Sequence, residues 1–398
     1  MSVPKFVIKN SMNKSSSTGI YFKDIIAESD LEKICYNLTG KFEYSVDFVE
    51  NDYEDDFLER SYNKGRLGIL HYQNNVYYIC FSDNSNSGRN SSLQSVSTAF
   101  NKFYVNKHPE KELVFYFLPS LSNYATNYHI FMYRLMATAG FKFINTPKEL
   151  VNSLQPFTSI DDIILSRKAN SERNKGNNAT YILKNNPHVY EVYGKTFGAN
   201  KYETSLICYA ISAIALETDK ITLFQYNEKD LKQLPKSSLA VLSLMGNINV
   251  VNIDDELEKQ ELRKNNSIRS PRFNARLLNH LGDKKCVLCE CEISEIIQGA
   301  HIWPVAEIKK HAHLTIEQQL SYATDAENGL WMCQNHHKLF DSNIIRLTES
   351  GQVKYDPDLP DSYRNYIDSV TLSLTLPHEI VTKQFQYFIK MRNENIHD

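Results

Sequence analysis

Apolar and polar positions along this chain follow two periods in turn. Leu67 to Phe81 alternates on both sides of a polar Gln73-Asn74-Asn75 turn, the pattern of a β-hairpin. Leu113 to Leu118 is a continuous apolar run closed by Pro119, as a buried strand would be. Thr126 to Ala139 predicts a helix stopped at Gly140, with a short strand from Phe141 to Ile144 after it. A stretch rich in Asn, Lys and Ser, Ala169 to Asn178, breaks the pattern and predicts a linker or flexible loop. The alternation then resumes, with strands expected at 181–183, 189–193, 221–226 and 248–251 and helices at 203–216 and 237–244. A strongly charged helix is expected over 256–266.

This mixture predicts an α+β or α/β multidomain fold, because 398 residues exceed what one hydrophobic core usually organises. The expected division is a mixed α/β domain over 1–155, a small α/β domain with linker over 156–265, and a third domain over 266–398, entered at Ser270-Pro271. No internal repeat is visible. A composition of 42% hydrophobic and 23% charged residues, with 14 Gly and 12 Pro, excludes a disordered, collagenous or low-complexity protein. The longest apolar stretch, around Leu206 to Leu216, is too short to cross a bilayer, and no export or acylation pattern opens the chain. The expectation is a cytoplasmic protein with no membrane partner.

Net charge changes the picture only locally. The chain carries −3, from 44 basic and 47 acidic residues, so no overall basic excess advertises a nucleic-acid partner. Asp47 to Glu59 is purely acidic, whereas 163–184 and 256–285 are enriched in Lys and Arg. Within the second basic stretch Arg269, Arg272, Arg276 and Lys285 are candidates to neutralise phosphates, against the plain alternative of a solvated helix face. The segment Gly194-Lys195-Thr196-Phe197-Gly198 looks like a phosphate loop only superficially, since the glycine spacing of a Walker loop is missing. It reads either as a turn before a buried helix or as a DNA-facing loop with Lys195 on a phosphate. Asp230-x-Lys232 lacks an upstream acid and reads as an ordinary exposed pair.

Cysteine usage carries more. Cys286, Cys289, Cys291 and Cys333 cluster while Cys35, Cys80 and Cys208 are scattered, and an odd total of seven argues against a disulfide framework. Cys286-x-x-Cys289 lets two thiolates reach one metal, and Cys333-x-x-His336 supplies two further ligands, a closed tetrahedral set for a structural Zn²⁺. Cys291 is the spare. His301 ends a β-like run, where it can activate water if a backbone or amide oxygen holds its other ring nitrogen, and Asn328 sits where the loop returns. His337 and Asp341 are i and i+4 on one helix and could hold a divalent cation. His336 points about 100° away around that helix, so the adjacent histidines can serve two metals.

Taken in order, Cys-x-x-Cys, Ala300-His301-Ile302-Trp303-Pro304, Asn328-Gly329-Leu330 and Cys333-x-x-His336-His337-x-x-x-Asp341 resemble the HNH endonucleases, the ββα-metal nucleases, in their restriction-associated branch. The resemblance covers Arg272 to Asp356, including an approach helix from Arg272 and a trailing hairpin, Ile344 to Tyr355, that turns at Gly351. It implies that His301 is the general base, that Asn328 orients it and braces the loop, and that His337 binds a catalytic Mg²⁺ or Mn²⁺ with Asp341 as second ligand or brace. It also implies phosphodiester hydrolysis leaving 5′-phosphate and 3′-hydroxyl ends. Many members carry Asp or His directly before the base; this chain has Ala300, which leaves the second metal ligand open.

The residues ahead of this segment exceed what a tether needs and read as DNA-recognition domains. The resulting expectation is a type II restriction endonuclease acting on double-stranded DNA, as a homodimer because a one-site subunit must cut two strands, with a cognate methyltransferase in the same system. The alternatives are a modification-dependent or other anti-phage nuclease, and a zinc-stabilised DNA-binding protein without activity.

Overall fold

The hairpin and the apolar runs of the first third are built into one six-stranded sheet. The computed structural model describes residues 6–7, 28–42, 46–48, 67–82, 89–117, 127–171, 180–194, 200–226, 234–268, 270–356 and 358–394. The chain falls into two units, Met1–Val250 and Val251–Asp398.

In the first unit, strands β1 (Phe6–Val7), β2 (Val46–Phe48), β3 (Leu67–Tyr72), β4 (Asn75–Ser82), β5 (Lys111–Phe117) and β6 (Phe141–Ile144) lie side by side in chain order. β3 and β4 form the expected hairpin, with Leu67 opposite Cys80 and Tyr72 opposite Asn75. β5 runs parallel to both β4 and β6, and its residues from Leu113 to Phe117 are all buried, which is why its sequence is a solid apolar run and does not alternate. Helices α1 (Glu28–Thr39), α2 (Arg89–Val105), α3 (Asn127–Thr138) and α4 (Ile160–Ser171) accompany the sheet. α4 continues to Ser171, two residues beyond the expected break at Ala169.

A second sheet follows, with strand order β10 (Ile248–Ile253), β9 (Lys220–Tyr226), β8 (Val189–Gly194) and β7 (Tyr181–Asn186); helices α5 (Asn200–Ile214) and α6 (Lys236–Met245) alternate with its strands. The expected division at 155/156 is corrected here. Leu154 and Phe157 lie in one hydrophobic core that runs from Val76 to Ile248. The physical reason is interlocking of helices from both stretches: Phe100 of α2 stacks on Tyr209 of α5 at 4.1 Å, and the Tyr209 hydroxyl donates to Asn101 Oδ1 at 2.6 Å. Lys195 and Arg269 lie outside the described residues.

The second unit begins with helices α7 (Asp255–Lys264) and α8 (Pro271–Leu281), the latter capped by the Ser270 hydroxyl, which accepts from the Phe273 amide, and carrying Pro271 at its start. Strands β11 (Ile297–His301) and β12 (Gly329–Cys333) form an antiparallel pair; α9 (Val305–Lys310) and α10 (Ile316–Ala323) lie in the connection between them. β12 runs directly into α11 (Gln334–Asp341), completing a ββα arrangement. A small hairpin, β13 (Ile345–Leu347) with β14 (Val353–Tyr355), and helices α12 (Asp361–Val370) and α13 (Lys383–Asn393) close the unit over its own core. Among the described residues, no helix is long and apolar enough to cross a membrane.

Candidate active site

Two glycines allow α8 to press on the β11–β12 pair. A Cβ on Gly299 would meet Leu277 Cδ1 at 2.7 Å, and one on Gly329 would meet Phe273 Cζ at 2.6 Å, both closer than side chains tolerate. Into this space Phe273 brings its ring, stacked nearly parallel on the His301 imidazole with 4.2 Å between centroids. His301 closes β11 opposite Gly329, and its Nε2 lies 2.8 Å from the Ala323 carbonyl oxygen. Because a carbonyl only accepts, Nε2 carries the proton and Nδ1 is the basic nitrogen. Burial pushes the imidazole down to about 4, with the His337 charge adding to that effect and the Ala323 contact and Asp341 opposing it.

Asn328 is fully buried and makes a different contact from the one expected. Its Oδ1 accepts from the Trp303 amide at 2.7 Å, and its Nδ2 donates to the carbonyls of Trp303 at 3.2 Å and Tyr322 at 2.9 Å. The orienting oxygen for His301 is therefore the Ala323 carbonyl, and Asn328 fixes the two chain segments on either side of that contact. The register explains that arrangement: the Ile302 amide donates to the Asn328 carbonyl at 2.9 Å, which turns the amide side chain into the loop.

α11 sends its two adjacent histidines to different places. His337 is partly exposed, and its Nε2 lies 3.4 Å from Asp341 Oδ2 one turn on. His336 is buried and faces the cysteines. Its Nδ1 is 3.5 Å from Cys286 Sγ and 3.3 Å from Cys333 Sγ, while Cys289 Sγ lies 3.9 Å from Cys333 Sγ. Zinc with sulfur at about 2.3 Å and nitrogen at about 2.0 Å sets tetrahedral S···S edges of about 3.8 Å and S···N edges of about 3.5 Å, so this donor set could hold a zinc ion. All four donor atoms lie within 4.8 Å of one another. His336 Nε2 faces the Thr371 hydroxyl at 3.2 Å, which leaves Nδ1 as the ligating nitrogen. Burial pushes the Cys289 thiol up to about 12. Cys291 stays outside the set and shapes the knuckle by accepting the Cys286 amide at 2.9 Å.

Residues 286–347 match the HNH endonuclease family. Comparison with curated proteins gives no match. The matched segment contains His301, Asn328, His337, Asp341 and the Cys286, Cys289, Cys333 and His336 cluster, and the match supports a nuclease, a hydrolase for which DNA is the implied substrate. Ala300, directly before His301, is buried opposite Leu330 and offers no ligand.

Of the basic residues expected on DNA, Arg272 and Arg276 turn inward. Arg272 is buried, with its guanidinium on both Asp255 and Glu258, 2.8 Å from the latter; two carboxylates already neutralise it, so the expectation of a phosphate contact is corrected. Arg276 Nη1 donates to the Thr324 carbonyl and hydroxyl, each at 3.1 Å, which turns it into the loop behind His301. Lys285 is exposed and paired with Glu292 at 2.6 Å, beside the zinc knuckle.

Sequence reading missed several contributors. The Ala323 carbonyl carries no residue signature, and Phe273 looks like any core aromatic. Arg392 of α13 is buried and donates to the Ile302 carbonyl at 3.0 Å, to the Phe340 carbonyl and to Asn343 Oδ1 at 2.9 Å. The one available signal was Gly299 and Gly329, two glycines flanking the base in strands, where glycine marks close approach.

Proposed function

We propose that this chain is a site-specific DNA endonuclease, a type II restriction enzyme that hydrolyses phosphodiester bonds with His301 as the general base. The observation that carries this reading is the His301 ring: Nε2 is held on the Ala323 carbonyl and burial lowers its basicity, so the ring stands neutral with Nδ1 ready to take a proton. The same carbonyl then stabilises the imidazolium that forms. Asn328, through Trp303 and Tyr322, keeps the loop in register with the base.

His337 and Asp341 suit a divalent cation: an imidazole nitrogen and a carboxylate oxygen 3.4 Å apart on a partly exposed helix face. Mg²⁺ or Mn²⁺ held there would supply Lewis acidity at the phosphate and the leaving oxygen. Two protein donors leave room in its shell for water and a phosphate oxygen, which suits the absence of a ligand at Ala300. Cys286, Cys289, Cys333 and His336 are the structural zinc ligands. The chain carries one base, so a break in both strands calls for two copies, and a homodimer on DNA is part of the proposal. The first unit is the recognition part, and a methyltransferase protecting the same site is the implied companion.

The test is incubation of the purified chain with unmodified phage DNA in Mg²⁺ or Mn²⁺, with His301→Ala as control, followed by sequencing of the ends. Discrete fragments with 5′-phosphates, absent from the variant, are expected. Degradation without preference, or cutting only of modified DNA, would overturn the restriction assignment, and equal cutting by His301→Ala would overturn the mechanism.

A further inference from the structure

Three consecutive carbonyls at the end of α10 are each held by a different side chain. Tyr322 accepts from Asn328 Nδ2 at 2.9 Å, Ala323 from His301 Nε2 at 2.8 Å, and Thr324 from Arg276 Nη1 at 3.1 Å. The last carbonyls of a helix have no partner within it, so their position is set by whatever donates to them. Thr324 is buried and its hydroxyl is doubly used, donating to the Leu320 carbonyl at 2.9 Å and accepting from Arg276 at 3.1 Å. Arg276 therefore grips a rigid corner one peptide from the atom that holds His301. It stands on the same helix as Phe273, whose ring covers the imidazole face, and that helix is itself held by the pairing of Arg272 with Asp255 and Glu258. α8 lies wholly ahead of the segment that matches the HNH family.

We propose that Arg276 is a positioning residue of the nuclease centre, which fixes the Thr324 corner and through it the Ala323 carbonyl that sets the His301 ring. The proposal rests on the reading of His301 as the base. It replaces the role of phosphate contact that the residue's charge and place in the sequence suggested. A misplacement of about 1 Å of a catalytic group costs roughly 100-fold in rate, which sets the scale of the effect.

The experiment compares the full-length chain with Arg276→Ala, Arg276→Lys and Thr324→Val, the last removing only the hydroxyl. Three quantities are read: the single-turnover cleavage rate, the DNA affinity with its salt slope, and the NMR signal of the His301 Nε2 proton, assigned by its loss in His301→Ala. A held imidazole proton gives a visible signal, and a loose one exchanges too fast. Arg276→Ala is expected to cut about 100-fold more slowly, with affinity and salt slope unchanged and the Nε2 proton signal lost. Arg276→Lys recovers part of the rate, since an ammonium can still donate to the Thr324 oxygens but lacks the rigid planar fork that aims Nη1 at both, and Thr324→Val shows a smaller loss in the same direction. An unchanged rate and proton signal would overturn the proposal, whether affinity falls with a flatter salt slope, as for a phosphate contact, or only the melting temperature falls. If Arg276→Ala does not fold, the Lys and Val variants decide. If the wild-type chain cuts no DNA, the nuclease reading fails, and the proton signal still decides whether Arg276 holds the ring.

Discussion

Arg392 donates to the carbonyl of Ile302, the residue directly after His301, at 3.0 Å. The same guanidinium lies over the Phe340 ring, 3.9 Å from its centroid, and reaches the Phe340 carbonyl, next to Asp341. One buried cation from the last helix thus ties the strand that carries the imidazole to the end of the helix that carries His337 and Asp341. Burial lowers its pKa only to about 10, so it remains charged at neutral pH.

Arg392→Met keeps much of the apolar stem but removes the donors. The Ile302 carbonyl then loses its donor in a buried site, at roughly 1–3 kcal/mol for an acceptor left without one, while the Phe340 carbonyl keeps the Asn343 amide. A loss of roughly 1–3 kcal/mol is expected, read as a lower urea midpoint. Both tryptophans of the chain, Trp303 and Trp331, lie in the second unit, so their fluorescence reports its unfolding. An unchanged midpoint would show that these contacts carry no net stability.

Zinc should be inseparable from the fold of the second unit. The four donors join the knuckle before β11 to the start of α11, and the segment after α12 is tied to the same knuckle, since the Leu372 and Ser373 amides both donate to the Leu288 carbonyl. Binding energy at such a site is folding energy. One zinc per chain is expected by elemental analysis, with loss of tryptophan signal on chelation and loss of the metal in Cys333→Ser. Full retention of the near-ultraviolet circular dichroism after zinc removal would refute the structural role.

What the sequence made legible was whatever depends on local period and spacing. The β3–β4 hairpin, the apolar run of β5 and the Cys286, Cys289, Cys333 and His336 cluster could be found because alternation, continuous apolarity and Cys-x-x-Cys are short-range patterns. Contacts made by main-chain atoms were invisible: nothing in the identity of Ala323 says that its carbonyl holds His301. Arg272 misled for a different reason, since its two carboxylates stand on the preceding helix and charge counting cannot tell a phosphate contact from an internal ion pair. The boundary between the first two stretches failed likewise, because the stacking of Phe100 on Tyr209 joins helices that no local pattern links.

The His301 value fixes two pH dependences. A free imidazole titrates near 6.5, and in the folded chain the ring titrates near 4. Between those values the unfolded chain takes up a proton that the folded chain does not, so stability falls as pH drops from about 6.5 toward 4 and is unaffected by this group above 6.5. On the proposed role of His301 as base, the ring is competent only when neutral, so its acidic limb lies well below 6.5. Single-turnover rates measured from pH 5 to 8 should show no midpoint near 6.5 from this group; a clean one-proton loss there would mean that the ring is solvated in the working enzyme.

Asn328 offers the sharpest separation of hydrogen-bond chemistry from size. Its oxygen accepts from the Trp303 amide while its nitrogen faces two carbonyl oxygens, those of Trp303 and Tyr322, in a fully buried site. Asn328→Ala leaves the Trp303 amide and carbonyl unmet, at roughly 1–3 kcal/mol each before relaxation, while the Tyr322 carbonyl keeps backbone donors at the end of α10. Asn328→Asp keeps the shape and the acceptor but sets a carboxylate oxygen against both carbonyls, which repel it unless it binds a proton. The buried acid is pushed upward by desolvation and by those oxygens, so it takes up a proton on folding and can then donate to one carbonyl. A group with a raised folded pKa contributes stability at low pH that is lost as pH rises through that value. Asn328→Asp should therefore be at least as destabilised as Asn328→Ala at pH 8 and gain on it as the pH is lowered toward 6. Urea midpoints of the two variants across that range test this directly, and a constant difference between them would mean that the side chain at 328 does not face the two carbonyls.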